Sequence, residues 1–215
     1  MFAINIVKRI VRGKDMKKIV RQIVYSIIVI AFVFCYAHIA KTHNIYDKTI
    51  DTSKYKETTS YMDKNVTQQF QSEEMTLDGI RLKCKSKGIT DNIQVKFSLI
   101  DVDTENVVAE GVVPGNQFKD SKFYEFNFDT VSECKNKSYK FILEETGNTV
   151  DNYIDFCYTD TQEKNTEMEI NNEAVVGTLV MKTVTNRFDI ETFCVLLIFI
   201  VYIVVFLKFL YKLFK

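Results

Sequence analysis

Histidine, proline, glycine and tryptophan are scarce in this chain of 215 residues. It has two histidines, one proline, seven glycines and no tryptophan. Both histidines, His38 and His43, lie beside an apolar N-terminal stretch, so the region that follows is expected to hold no Ser-His-Asp or Cys-His site and no histidine-based zinc site. So few glycines leave no glycine-rich phosphate-binding loop. These shortages predict a non-enzymatic protein with no catalytic residue, no cofactor and no metal.

Charge is balanced overall but is distributed unevenly. The 28 Lys and Arg residues cancel the 28 Asp and Glu residues. Residues 1–44 hold eight bases and one acid, Asp15, and so carry +7, while residues 191–215 carry +2. The segment 45–190 therefore carries −9. Basic ends around an acidic middle are typical of a membrane protein and argue against a nucleic-acid partner.

Two apolar runs are long enough to cross a lipid bilayer. Residues 23–40 contain no Asp, Glu, Lys or Arg and, at about 1.5 Å per residue, reach about 27 Å against a hydrocarbon core of about 30 Å. Residues 192–214 are first interrupted at Lys208, whose side chain can extend to the interface. We predict a transmembrane helix in each run. A cleavable signal peptide is the alternative for the first, but that run is too long and His38 occupies the −3 position, where a small residue is required.

Basic residues also predict the orientation. Seven Lys and Arg residues lie within residues 1–22, and Lys208, Lys212 and Lys215 lie at or beyond the end of the second run. The positive-inside rule then places both termini in the cytoplasm and the middle of the chain outside the cell membrane. Residues 1–22 form a basic cytoplasmic segment, either an amphipathic helix on the anionic inner leaflet or a frayed tail.

The region between the two runs changes character near its start. Residues 41–64 have no sustained apolar period and predict a polar linker. Residues 65–187 alternate apolar and polar residues with a period of two, which is typical of half-buried β-strands. The apolar positions of the clearest stretches are Ile93, Val95, Phe97 and Leu99; Tyr124, Phe126 and Phe128; Tyr139, Phe141 and Leu143; and Ile154, Phe156 and Tyr158.

Turn signals such as Lys87-Gly88 and Pro114-Gly115-Asn116 separate these stretches. About eight or nine short strands in roughly 120 residues, with no amphipathic helical period between them, predict an antiparallel β-sandwich. An immunoglobulin-like sandwich is the less favoured alternative, because the chain has no tryptophan for a Cys…Trp…Cys arrangement. The expected fold class is mainly β: a jelly-roll-like antiparallel β-sandwich inserted between two transmembrane α-helices.

One predicted strand changes faces part-way along. In the stretch TLDGIRLKC, the apolar residues shift from odd positions, ending at Leu77, to even positions, beginning at Ile80. A β-bulge at Asp78-Gly79 absorbs one residue and keeps both apolar side chains in one core, and glycine supplies the positive φ that such a bulge often needs. A strand that ends at Leu77 in a turn is the alternative.

Acidic residues in the strand region offer little sign of chemistry. The turn Asp101–Asn106 resembles an oxygen-ligand calcium loop but lacks the glycine and distant glutamate of an EF-hand, so we expect a solvated turn. The pairs Glu144-Glu145 and Asp151…Asp155 are expected to be surface charge rather than a glycosidase carboxylate pair.

Three cysteines, Cys84, Cys134 and Cys157, lie in the strand region. One disulfide among the three is an open alternative in an oxidising compartment. Cys84 shares its parity with Ile80 and Leu82, so it is expected to pack inward as a small apolar residue.

The stretches QQFQS…LDGIRL, NIQVKFSLID, FYEFNFD and SYKFIL together give a further expectation. They resemble the jelly-roll, galactose-binding-like domains carried outside the membrane by bacterial membrane proteins linked to surface polysaccharides, over roughly residues 66–185. The resemblance implies contact with a glycan. Glycan platforms often use tryptophan, and the candidate tyrosines in its place are expected to pack mostly in the core: Tyr61, Tyr124, Tyr139, Tyr153 and Tyr158.

Two functions follow as expectations. The first is a membrane-anchored binding or accessory module that recognises a cell-surface glycan or a partner protein outside the cell. The alternative is a structural subunit of a membrane assembly, such as a polysaccharide export or secretion complex; two spans without internal carboxylates or arginines form no transport path alone. In both cases the lipid bilayer is a partner.

Overall fold

The computed structural model describes residues 2–58 and 63–214, which divide into two units. One unit contains residues up to Ile39 together with those from Arg187 onwards, and the other is Ala40–Asn186. The first is helical and the second is made of β-strands. The mainly β fold class predicted from the alternating sequence is therefore confirmed for the middle of the chain.

The helical unit contains two long helices, α1 (Phe2–Ala37) and α2 (Ile190–Leu213). Met16–Ala37 of α1 and the whole of α2 are long and apolar enough to cross a membrane. The basic N-terminal residues continue the same helix, so α1 starts well before its apolar part. Asp189 caps α2, because its side chain accepts hydrogen bonds from the backbone N–H groups of Glu191 and Thr192 at 3.0 and 3.1 Å.

An aromatic cluster joins the C-terminal end of α1 to the N-terminal end of α2. The Phe34 ring lies 4.8 Å from the His38 ring and 5.2 Å from the Phe188 ring, and Phe188 lies 5.3 Å from Phe193. The Asp189 N–H also donates to the Ala37 carbonyl at 2.9 Å.

Thirteen strands lie within the described residues. They are β1 (His38–Asn44), β2 (Lys56–Glu57), β3 (Asn65–Gln71), β4 (Thr76–Lys87), β5 (Gln94–Asp101), β6 (Val107–Pro114), β7 (Lys122–Ser132), β8 (Ser138–Thr146), β9 (Tyr153–Thr159), β10 (Glu167–Ile170), β11 (Glu173–Val175), β12 (Thr178–Leu179) and β13 (Met181–Phe188).

The strands form two antiparallel sheets. The first sheet has the order β11-β10-β3-β8-β5-β6. The second has the order β1-β13-β4-β9-β12, with β7 paired to β4 and β2 paired to β9. Cys84 of β4 faces both β7 and β9, whereas Leu82 faces both β7 and β13, so β9 and β13 follow one another along the same edge of β4.

The main core fills the space between the two sheets. Phe126 of the second sheet is 1% exposed, and its ring lies 5.2 Å from Phe97 and 5.4 Å from Phe141 of the first sheet. The alternating positions of β5 and β8 that the sequence predicted to face inward are buried. Cys84 is also fully buried, as its parity predicted. A smaller cluster of Tyr46, Cys157 and Val180 lies apart from this core.

The face change in β4 is present, but its geometry differs from the expectation. Leu77, Ile80 and Leu82 are all fully buried, and β4 runs without a break through Gly79, so the turn alternative is wrong. Between Leu77 and Gly79, β4 advances two residues while its partner β7 advances four, so the additional residues lie in β7.

The positive φ predicted for Gly79 is wrong: among the glycines, it occurs at Gly88 and Gly147. Gly79 is small for another reason, because a Cβ there would lie 3.0 Å from the Phe126 carbonyl oxygen. Asp78 connects the neighbouring strands at this irregularity, because its carboxylate accepts a hydrogen bond from Thr130 Oγ1 at 2.5 Å and another from the Asn186 N–H at 2.7 Å.

The segment predicted as a polar linker contributes strands to the second sheet. It contains most of β1, which pairs with β13, and all of β2, which pairs with β9. Backbone pairing at a sheet edge needs N–H and C=O groups rather than apolar alternation, so composition gave no signal for these strands. Residues 59–62 of the linker lie outside the described part of the chain.

Candidate functional site

The sequence predicted no catalytic, cofactor-binding or metal-binding residue, and the acidic turn that resembled a calcium loop has a structural role. Asp101 is buried at the start of the β5–β6 turn, where its Oδ1 accepts hydrogen bonds from the backbone N–H groups of Asp103 and Thr104, both at 3.0 Å. The side chain is thus occupied in shaping the turn. No group of three or more His, Cys, Asp or Glu residues suited to a metal ion occurs in the part of the chain that the structure describes.

The cysteines and tyrosines have mainly packing roles. The thiols of Cys84, Cys134 and Cys157 are free and buried. Burial raises the pKa of Cys84 to about 12. Tyr139 is fully buried, and Tyr124 is half-buried with its hydroxyl donating to Gln117 Oε1 at 2.7 Å.

Tyr153 and Tyr158 are also half-buried. The Lys87 Nζ lies 5.5 Å from the centre of the Tyr153 ring, and Tyr158 packs against the main core. Tyr61 lies outside the described residues. Tyr124, Tyr139, Tyr153 and Tyr158 therefore form no continuous exposed platform.

A buried cluster of three charged side chains is the most unusual feature of the sandwich. Lys64 lies immediately before β3, Glu145 is in β8 and Asp155 is in β9. Their side chains are 0%, 0% and 1% exposed. The expectation that Glu145 and Asp155 are surface charge is therefore wrong. Charged groups are almost never buried to this degree unless they are paired.

Lys64 provides the pairing. Its Nζ lies 2.5 Å from Asp155 Oδ1 and 3.5 Å from Glu145 Oε2, and it donates to the Ile154 carbonyl at 2.8 Å. Because β3 and β8 belong to the first sheet and β9 to the second, this ammonium group links the two sheets. Removing one member of such a buried set leaves the others uncompensated, at a typical cost of about 3–5 kcal/mol.

The two carboxylates are not fully satisfied. Asn148 Nδ2 donates to Glu145 Oε2 at 2.7 Å, but Glu145 Oε1 and Asp155 Oδ2 are buried with no hydrogen-bond partner among the described residues. Burial raises the pKa of Glu145 to about 7, against the opposing effects of the Lys64 ammonium and the Asn148 hydrogen bond. Glu145 is therefore a carboxyl group that exchanges its proton near neutral pH.

Sequence reasoning missed this cluster, although two of its members carried a signal. Lys64 shares the parity of Val66 and Phe70, and Glu145 shares the parity of Phe141 and Leu143, so both occupy core-facing positions. Asp155 carried no such signal, because it faces away from Ile154 and Phe156 in the alternation of β9.

A polar cleft is the second candidate. It has a volume of about 360 Å³ and lies where the ends of β1 and β3 meet the loop between β9 and β10. This volume is within the usual range for small-ligand sites, about 300–1,000 Å³. Its polar lining includes His43, Asp47, Gln71, Glu73, Glu163 and Lys164.

Hydrogen bonds within the unit position this lining. The Asp47 N–H donates to Glu163 Oε1 at 3.1 Å, and Asn165 Nδ2 donates to Gln71 Oε1 at 2.7 Å. The backbone N–H of Thr49 donates to the Asp47 carboxylate at 2.8 Å and lowers the pKa of that group.

His43 Nε2 lies 3.5 Å from Glu73 Oε2 in the same cleft. The expectation that both histidines lie apart from the strands is thus wrong, because β1 contains His43 and begins at His38. Serine and cysteine are absent from the described lining of the cleft, so it offers hydrogen bonding and negative charge rather than a nucleophile of these types.

Comparisons with known proteins add no family. No protein-family model matches the chain, and no curated protein matches it. Among solved structures, a chain in "Structure of infectious bursal disease virus Gx strain" aligns at 9% identity with a TM-score of 0.20, over 68% of this chain. The alignment covers 35% of that other chain, so this protein spans about a third of its length, and a likeness this weak carries no argument.

Proposed function

We propose that this chain is a membrane-anchored, non-enzymatic binding module whose β-sandwich stands outside the cell membrane. The observation that supports the proposal most directly is the polar cleft in a sandwich bounded along the chain by two apolar helices. The bilayer holds α1 and α2, and the excess of Lys and Arg at both ends of the chain favours a cytoplasmic position for both termini.

The chemistry of the cleft favours a cell-surface glycan as the ligand. The carboxyl oxygens of Asp47, Glu73 and Glu163 supply hydrogen-bond acceptors for sugar hydroxyls, while the side chains of Gln71 and Lys164 supply donors. The expected resemblance to jelly-roll domains of proteins linked to surface polysaccharides points the same way. As a finer fold assignment we propose a jelly-roll-like sandwich, supported by the passage of the chain between the sheets from β3 to β4 and from β4 to β5.

A glycan array probed with the full chain in detergent micelles tests the proposal. We expect binding to a subset of the polysaccharides that contain no acidic sugars, because the cleft carries three carboxylates and would repel anionic sugars. Glu163→Gln is expected to weaken binding by about tenfold, the effect of losing a charge-assisted hydrogen bond of about 1.5 kcal/mol.

Glu110→Gln is the matched control, because Glu110 is exposed on β6, away from the cleft lining. Its binding should equal that of the unchanged chain. Absence of any glycan bound by the unchanged chain, or an equal effect of the two substitutions, would refute glycan recognition through this cleft.

A structural role in a membrane assembly is the second candidate, and one observation favours it. An apolar groove of about 450 Å³ lies between α1 and α2 and is lined on the α1 side by Tyr25, Ser26, Val29 and Ile30. A small polar residue beside apolar ones is typical of contacts between membrane helices. A transmembrane helix of a partner protein would fit this groove, and photocrosslinking from Ser26 would capture it.

A further inference from the structure

We propose that Lys64 and Asp155 become joined by an intramolecular isopeptide bond, with Glu145 moving the protons that the reaction requires. The proposal concerns a modification site and is independent of what the cleft binds. It rests on the contact between the lysine and aspartate side chains, on their complete burial, and on the third carboxyl group beside them.

The geometry places the reacting groups together. Lys64 Nζ is 2.5 Å from Asp155 Oδ1, so the carboxyl carbon bonded to that oxygen lies at most one covalent bond further away. Reacting atoms held about 3–3.5 Å apart are in a near-attack arrangement. The hydrogen bond from Nζ to the Ile154 carbonyl fixes the direction of the lysine side chain.

The reaction balances without any oxidant, metal or cofactor. A proton moves from the Lys64 ammonium to the carboxylate pair, which leaves a neutral amine and a protonated acid. The amine nitrogen attacks the carboxyl carbon of Asp155 and forms the C–N bond. The C–O bond then breaks, and the oxygen leaves as water with the two protons given up by the lysine nitrogen, so one water molecule is lost overall.

Glu145 is placed to carry that proton. Its Oε2 lies 3.5 Å from Nζ, and its Oε1 has no hydrogen-bond partner among the described residues. A group with a pKa of about 7 both accepts and donates protons near neutral pH, which is the property that general acid–base catalysis needs. Asp155 Oδ2, also without a hydrogen-bond partner in the described part of the chain, is then available to receive the proton and depart.

Burial distinguishes this cluster from an ordinary ion pair between β5 and β8. Lys96 and Glu144 are also 3.5 Å apart, but their side chains are 53% and 52% exposed. Water solvates both side chains there, whereas charges taken out of water are costly unless they are neutralised or paired. We expect the amide at the buried pair and none at Lys96–Glu144.

Intact-mass spectrometry of the full chain, purified in detergent and then denatured, tests the proposal. The expected mass is lower than the sequence mass by one water molecule, and proteolysis should yield a branched peptide that joins Lys64 to Asp155. Glu145→Gln and Lys64→Arg should each restore the full sequence mass, while Glu144→Gln, the matched control, should keep the loss.

The mass of the unchanged chain tests the proposal even if a variant fails to fold. A full sequence mass with no branched peptide would show an ion pair only and overturn the proposal. A water loss confined to a linear peptide, such as cyclisation at Asp78-Gly79, would overturn it as well. Retention of the branched peptide in a folded Glu145→Gln chain would overturn the role given to Glu145.

Discussion

The buried carboxyl of Glu145 should make the stability of the sandwich fall as pH rises toward neutrality. Its pKa is raised from 4.5 to about 7, mainly by burial. The folded chain therefore retains a proton that the unfolded chain releases between these two values. Stability from this group is fully present below pH 4.5 and is lost as pH rises through about 7.

The size of this loss follows from the pKa change. A change of one in a pKa between the unfolded and folded chain corresponds to about 1.4 kcal/mol of stability, so the change at Glu145 corresponds to about 3 kcal/mol. The charged and polar groups that face this carboxyl are Lys64, Asp155 and Asn148. An amide between Lys64 and Asp155 would remove the nearby ammonium charge and act in the same direction, so the sign of the prediction holds with or without the bond.

Urea denaturation of the full chain in detergent, repeated from pH 4.5 to pH 7.5, measures the effect. Near-UV circular dichroism is a suitable signal because the chain has eleven tyrosines and no tryptophan. Glu145→Gln has a neutral side chain of the same shape and should remove about 3 kcal/mol of pH dependence. Glu144→Gln, at a 52% exposed position, should leave the pH dependence unchanged. Equal pH profiles for the unchanged chain and Glu145→Gln would refute the reasoning.

Two further predictions concern the core. Phe126→Ala should lower the free energy of unfolding by about 3–5 kcal/mol, because it removes the ring at the centre of the aromatic cluster. Phe123→Ala, at a 38% exposed position on the same strand, should lower it by under about 1 kcal/mol. Comparable losses for the two variants in urea denaturation would contradict the core assignment. Cys84 is buried, and its pKa is raised to about 12, so its thiol should resist a maleimide reagent in the folded chain and react once urea unfolds the chain. Labelling of Cys84 at the rate of an exposed thiol would show that β4 is not packed as described.

Local pattern was sufficient for much of the architecture. The alternation in β5 and β8 predicted which side chains face the core, because side chains in a strand point to opposite faces with a period of two. The two apolar helices could be located from length and composition alone. The face change at Leu77 and Ile80 likewise predicted an irregularity, since both apolar side chains had to reach one core.

Other features depended on partners distant in the chain. β2 pairs with β9 through its backbone, and its two side chains, Lys56 and Glu57, are charged, so its composition resembles that of a linker. The additional residues of the bulge lie in β7, although the sequence signal lies in β4.

The amino-acid sequence by itself determined the long alternating strands, the apolar helices and the core faces of those strands, since each depends on residues close together in the chain. Only the tertiary structure placed Lys64 against Asp155, which lies 91 positions away, and buried both beside Glu145. A charged residue is predicted to lie at the surface unless its partner is known, because a charged side chain is stable inside a protein only when it contacts an oppositely charged or hydrogen-bonding group. Such a partner can be distant in the sequence.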